Sequence, residues 1–172
     1  MNLLQTFRLF GAYNRWANTR LYDAASLLSD EAYRRDCGAF FKSMHGTLNH
    51  ILVGDRVWMK RFTGEGDHPS ELDAILFDDF AGLREAREAE DARILDWVQS
   101  LDQTDVEGDF TFTMITLPDT ITQKLAPCIS HFFNHQTHHR GQAHTILSLL
   151  GEAPPQLDLI YFTRTDEGQA LC

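Results

Sequence analysis

The chain has 172 residues, 43% of them hydrophobic and 23% charged, a size and balance that fit one globular domain, 1–172, with its own core and exclude a disordered or fibrous chain. Its 25 acidic residues against 15 basic ones give a formal charge of −10, which repels a phosphate backbone and argues against a nucleic-acid partner. Every apolar stretch is broken before the roughly 18 residues that a membrane span needs, no signal-peptide pattern opens the chain, and Cys37, Cys128 and Cys172 are too few and scattered for a disulfide framework, so a soluble, cytoplasmic protein without a membrane partner is expected.

Apolar residues recur at helical spacing from Asn2 to Leu28 (Leu3, Phe7, Phe10, Tyr13, Leu21), and Ser29-Asp30 supplies a turn. A linker at Arg34 to Gly38 leads to a second helix from about Ala39 to Phe62, whose stripe includes Met44, Leu48, Ile51, Trp58 and Met59 and which stops at Gly64-Glu65-Gly66. After Pro69 a third helix runs from about Phe77 to Leu101. Its middle, where Glu85 to Asp91 alternates with Arg84, Arg87 and Arg93, reads as a solvated face.

Between Asp105 and Thr122 the Phe-Thr-Phe-Thr alternation and the turn pair Pro118-Asp119 suggest a short β-hairpin between helices. A fourth helix extends from about Lys124 to Leu150 and ends at Gly151, with Pro154-Pro155 beyond it, and the apolar tail Leu159 to Phe162 is suited to pack back. Four long amphipathic helices and one hairpin make an all-α four-helix bundle.

Five of the eight histidines lie on the fourth helix. Advancing about 100° per residue, His139 falls near the middle of the apolar arc made by Ile129, Phe132, Ala143, Ile146 and Leu147, with His135 at its flank; His131 and His138 lie further out and His144 toward the opposite edge. Two inward imidazoles four residues apart stand one above the other at a separation one metal ion can bridge, as in HExxH helices. A third ligand must come from another helix, which offers His45 and His50. Gly46 and Gly54 flank His50 at one turn on either side, leaving its surface bare for a metal or substrate, so His50 is preferred.

Three neutral imidazoles suit Zn²⁺, Ni²⁺, Fe²⁺ or Cu²⁺ and leave an open position at which water or a thiol can be activated. The glutamate that serves as base in HExxH proteases is replaced by Gln136, which disfavours a peptidase. Other carboxylates to weigh as a base are Asp55, expected to face inward and more ordinarily a hydrogen-bond partner within the bundle, and Asp158. Tyr13, Trp16 and Trp58 are expected in the core, as is Cys128, while Asn14 and Asn18 read as ties between helices and His68 and His144 as structural or exposed.

The stretches YNRWANTRL (13–21), LNHILVGDRVWMKRF (48–62), NHQTHHRGQAHTILSLLG (134–151) and PQLDLIYF (155–162) resemble the DinB-like (DNA-damage-inducible, YfiT-like) superfamily of metal-binding four-helix bundles. The resemblance implies an up-down-down-up bundle, a homodimer, and a divalent metal held by His50, His135 and His139, the trio reached above from helix geometry. Zn or Ni is the expected ion, with Fe and Mn as alternatives. Characterised relatives include thiol S-transferases and mycothiol-dependent isomerases, so the expected function is a metal-dependent transferase or hydrolase acting on a small-molecule, thiol-type substrate. The rivals are a non-catalytic metal-binding or stress-response bundle and a bundle that holds no metal, because reaction does not follow from fold.

Overall fold

The computed structural model describes residues 1–67, 69–114 and 119–172. Four long helices form its frame: α1 (Leu3–Ala25), α3 (Met44–Thr63), α4 (Phe80–Ser100) and α6 (Leu125–Leu149). Shorter elements fill the connections: α2 (Asp30–Arg34), α5 (Gln103–Glu107), a hairpin of β1 (Asp109–Thr113) and β2 (Thr120–Lys124), and at the end α7 (Leu159–Phe162) and α8 (Asp166–Leu171). Local chemistry sets the starts. Asn2 and Gln5 form a reciprocal capping box on α1, Ser43 caps α3 and Asp79 caps α4, while α3 ends where Gly64 turns left-handed at φ 75°.

Helix directions follow from who meets whom. Arg8 of α1 bonds the carbonyls of Gln99 and Leu101 while Tyr22 lies on Phe80, so α1 and α4 run antiparallel. Phe10 meets Phe133 and Asn18 meets Arg140, so α1 and α6 are parallel. Phe62 meets Phe132 and His50 meets His139, so α3 and α6 are antiparallel. The up-down-down-up order results, and it leaves α3 and α4 as parallel neighbours. Parallel neighbours need a connection that returns along the bundle, and Leu72 of the stretch before α4 lies beside His50.

The apolar arc of α6 is buried as its periodicity predicts, with Ile129, Phe132, Ala143, Ile146 and Leu147 at most 1% exposed. In the hairpin, Phe110 and Phe112 turn inward to Phe62 and Trp58, and Thr111 turns outward to Thr122. Phe162 packs on Tyr13 and Trp16, closing the tail onto α1. The Pro118 half of the expected turn, and His68, lie outside the described residues.

Two expectations need correction. The middle of α4 is a solvated face only in part: Glu85 and Glu88 are exposed, but Arg87, Glu90 and Asp91 are 1%, 6% and 3% exposed. Arg87 bonds Asp55 of α3 and lies 3.1 Å from Asp91, which accepts from Asn18 at 2.8 Å and Asn14 at 3.4 Å; Arg140 of α6 donates to both asparagines. Buried charges are tolerated when they pair in this way, and Asn14 and Asn18 tie three helices together through the network. The second long helix also begins later than Ala39. Ala39 and Lys42 close a tight turn, with Lys42 at φ 65°, a left-handed conformation uncommon outside glycine, before the helix starts at Met44.

Candidate metal centre

His50 on α3 and His135 and His139 on α6 place one ring nitrogen each within 4.8 Å of one another. The Nε2 atom of His139 is 3.1 Å from those of both His50 and His135. Nitrogens bound to one tetrahedral zinc at its usual bond length stand about 3.3 Å apart. Two of the three donor pairs therefore already have the spacing of a coordination sphere.

The opposite ring nitrogens fix which atom carries the proton. His50 Nδ1 lies 2.6 Å from the carbonyl oxygen of Leu72. A carbonyl only accepts, so Nδ1 bears the hydrogen and Nε2 presents a lone pair. His139 Nδ1 donates to Gln142 Oε1 at 2.8 Å, and the Gln142 amide nitrogen lies 3.3 Å from His138 Nε2, which orients the amide in the same sense. Two lone pairs thus face each other at 3.1 Å, an arrangement that repels until a cation lies between them. Second partners that hold a ligating imidazole through its other nitrogen are the usual companions of a metal site.

Burial keeps the rings neutral. It lowers the pKa of His135 to about 3, helped by the neighbouring His139 and His50, and that of His139 to about 4 against the pull of Gln142. His50 is lowered too, by burial against the Leu72 hydrogen bond. Neutral imidazole is the form that binds metals.

Aromatic and glycine packing hold the geometry. Phe41, delivered by the Ala39–Lys42 turn, stacks on His50 at 3.7 Å between ring centres and meets His139 edge-on at 5.6 Å. Gly54 lines a cavity together with His50, as expected of a bare helix surface, but both Gly54 and Gly46 also admit close neighbours. A Cβ on Gly54 would lie 2.8 Å from His135 Cε1, and one on Gly46 would lie 2.2 Å from the Phe41 carbonyl oxygen. The missing side chains let the two neighbours approach.

The histidines stand between two cavities. One, of about 560 Å³, opens beside Phe40, Phe41, Asp73, His138 and Gln142. The other, of about 420 Å³, runs between α3 and α6 and is lined by Trp58, Arg61, Phe112 and Cys128 as well as His50 and His135. Trp58 and Cys128, expected in the core, thus form cavity wall, although Cys128 is also fully buried. Tyr13 matches the core expectation, with its hydroxyl donating to the Leu157 carbonyl at 2.7 Å.

The other candidates lie elsewhere. His45 meets the Phe77 carbonyl at 3.2 Å and packs edge-on against Tyr33, and Gln136 is fully buried. Asp55 is committed to Arg87, and Asp158 lies with Tyr13 and Arg140 at the other face of α6, so neither reaches the histidines as a base. Leu72, Gln142, Phe41 and Asp73 were not singled out from sequence. Only Gln142 carried a signal, lying three residues after His139 on the same helix.

Residues 2–169 match the model of the DinB family. The chain is also 25% identical over 170 residues to "Protein DinB" of Bacillus subtilis (strain 168), an alignment that covers 94% of this chain and 96% of that protein.

Proposed function

We propose a metal-dependent enzyme acting on a small molecule as the function of this chain, which belongs to the DinB family. The observation that supports it is the convergence of three neutral imidazole nitrogens, two of them facing lone pairs at 3.1 Å, at a point flanked by two cavities. His50, His135 and His139 would hold a divalent ion, with Zn or Ni the best match to an all-nitrogen set, which would supply Lewis-acid chemistry toward a thiol or water. The chain's own residues do the rest. Leu72 and Gln142 hold the Nδ1 protons of His50 and His139 and so aim both Nε2 lone pairs inward. Asp73, exposed at the outer cavity, is the carboxylate among that cavity's lining residues. Peptide hydrolysis is disfavoured because Gln136 occupies the position of the protease glutamate and is buried outside the lining of both cavities.

Cys37, Cys128 and Cys172 are free thiols, which suits a reducing cytosol. The homodimer implied by the family resemblance is checked by analytical ultracentrifugation. The function itself is tested by elemental analysis of untagged protein beside a His50→Ala/His135→Ala/His139→Ala variant. About one divalent ion per chain, lost in the variant, is the expected result, followed by thiol-transfer assays on the loaded protein. No ion in either protein after incubation with Zn²⁺ or Ni²⁺ would sink the reading, and a loaded protein inert toward thiol acceptors and esters would leave a non-catalytic metal-binding bundle.

A further inference from the structure

The cavity between α3 and α6 has a polar group at its far end that the metal centre does not use. On α3 the lining residues His50, Gly54, Val57, Trp58 and Arg61 fall at offsets 0, 4, 7, 8 and 11, one stripe of a helix. The backbones of His50 and Arg61 are then about 16 Å apart along the axis. The antiparallel α6 contributes Cys128, His131 and His135 to the facing wall, and the hairpin closes the end near Arg61. The result is an elongated slot with the imidazoles toward one end and a guanidinium toward the other. Its volume of about 420 Å³ lies within the range of small-ligand sites.

Arg61 is an unusual arginine in a chain of charge −10. Its guanidinium lies 4.7 Å from the ring centre of Trp58 and 5.2 Å from that of Phe112. Its Nε is buried with no hydrogen-bond partner among the described residues. Arg56, one and a half turns earlier on the same helix, has Asp67 at 3.7 Å and Glu90 at 3.9 Å. Arg61 has no acidic partner among the described residues, and the sequence of residues 115–118, Ile-Thr-Leu-Pro, contains no acid. Among the described residues, no carboxylate lines the slot. Burial lowers the Arg61 pKa, against a smaller raising influence from Cys128. Burying a cation without a partner is costly, whereas a guanidinium held over aromatic rings keeps in-plane N–H donors for a planar oxyanion.

We propose that this slot binds a small organic anion, with a carboxylate on Arg61, an apolar body along Trp58 and Phe112, and its other end toward the three histidines. The inference rests on the proposed metal centre only for where the reacting end lies; the Arg61 subsite requires no ion. It narrows the substrate class to carboxylate-bearing molecules of apolar body, and it separates them from neutral thiols and esters of the same size.

The test uses two isosteric probes, 4-phenylbutanoate and 4-phenylbutanamide. Binding is followed by calorimetry and by quenching of tryptophan fluorescence, in zinc-loaded and metal-free protein, with metal content measured on the same samples. The carboxylate is expected to bind at least about tenfold more tightly than the amide in both forms. Arg61→Met, which keeps a stem to pack on Trp58, is expected to erase that preference while leaving amide affinity unchanged, and Arg61→Lys to retain part of it. If Arg61→Met fails to fold, Arg61→Lys and the wild-type pair of probes carry the test. Equal affinity for the two probes, a preference that survives in Arg61→Met, a preference seen only with zinc present, or no binding of either probe would each overturn the proposal. A preference that persists in protein unable to hold metal would leave the subsite standing and sink the metal centre alone.

Discussion

Gly54 of α3 and His135 of α6 meet so closely that a single added methyl group would lie 2.8 Å from the His135 Cε1 atom. That contact sets the depth of the His135 ring relative to His50, one turn earlier on α3. In Gly54→Ala the ring must retreat by several tenths of an ångström, which opens the spacing among the three nitrogens. Divalent-metal affinity is expected to fall about tenfold or more, within the range for a disturbed support of a ligand. Stability is expected to fall by about 1–3 kcal/mol, the usual cost of overpacking. Competition against a chromogenic chelator reads the first effect and urea unfolding the second; unchanged affinity would show that the contact does not set the ligand spacing.

Gln142 acts on His139 without touching the centre itself, by accepting its Nδ1 proton at 2.8 Å. Gln142→Ala removes that acceptor and frees the ring to rotate or change tautomer. Metal affinity should drop by about 10–100-fold. Gln142→Glu, whose carboxylate accepts the same proton more strongly, should preserve it. A drop of equal size in both variants would mean that the side chain fills space rather than orients the imidazole.

The sequence carried the parts of this architecture that depend on local spacing. His135 and His139 are four residues apart on an amphipathic helix, so their common face could be read from periodicity, as could Phe110 and Phe112 in the hairpin. His50 was also reached, but through an incomplete reason, since Gly54 and Gly46 also admit the His135 ring and the Phe41 carbonyl. What depends on another segment was not legible. Arg87 looks like a surface charge until Asp55 arrives from α3, and the Leu72 carbonyl that fixes the His50 tautomer is a backbone atom with no sequence signature. Arg61, likewise, is one basic residue in a polar helix end until the hairpin closes over it.

The neutral histidines predict a pH dependence for the metal-free protein. In the folded chain the pKa of His135 is lowered to about 3 and that of His139 to about 4, from an ordinary value of 6.5. Below 6.5 the unfolded chain takes up protons that the folded chain does not. Proton uptake by the unfolded state lowers stability as pH falls, so their contribution is present above 6.5 and is lost progressively toward the folded values. Thermal midpoints of metal-free protein should decline from about pH 6.5 downward, and a His135→Asn/His139→Asn variant should decline less steeply over the same window. Equal slopes for the two proteins would place the acid sensitivity in other groups.

The buried network offers a prediction that separates fold from metal chemistry. Arg87 remains charged, because Asp91 and Asp55 raise its pKa against the effect of burial. Arg87→Met keeps much of the side-chain volume but leaves both acids without their cation, and Asp55 Oδ1 already lacks a hydrogen-bond partner among the described residues. Breaking a buried pair from one side costs about 3–5 kcal/mol. Arg87→Met is therefore expected to lose that much in urea unfolding at neutral pH, and adding Asp55→Leu should recover part of the loss, because the stranded carboxylate is removed with its partner. Arg87 does not line either cavity that contains the histidines, so the folded fraction of both variants should retain wild-type metal content. A loss of metal in protein that is still folded would show that the network positions the histidines; a loss of stability alone would assign it to holding α1, α3, α4 and α6 together.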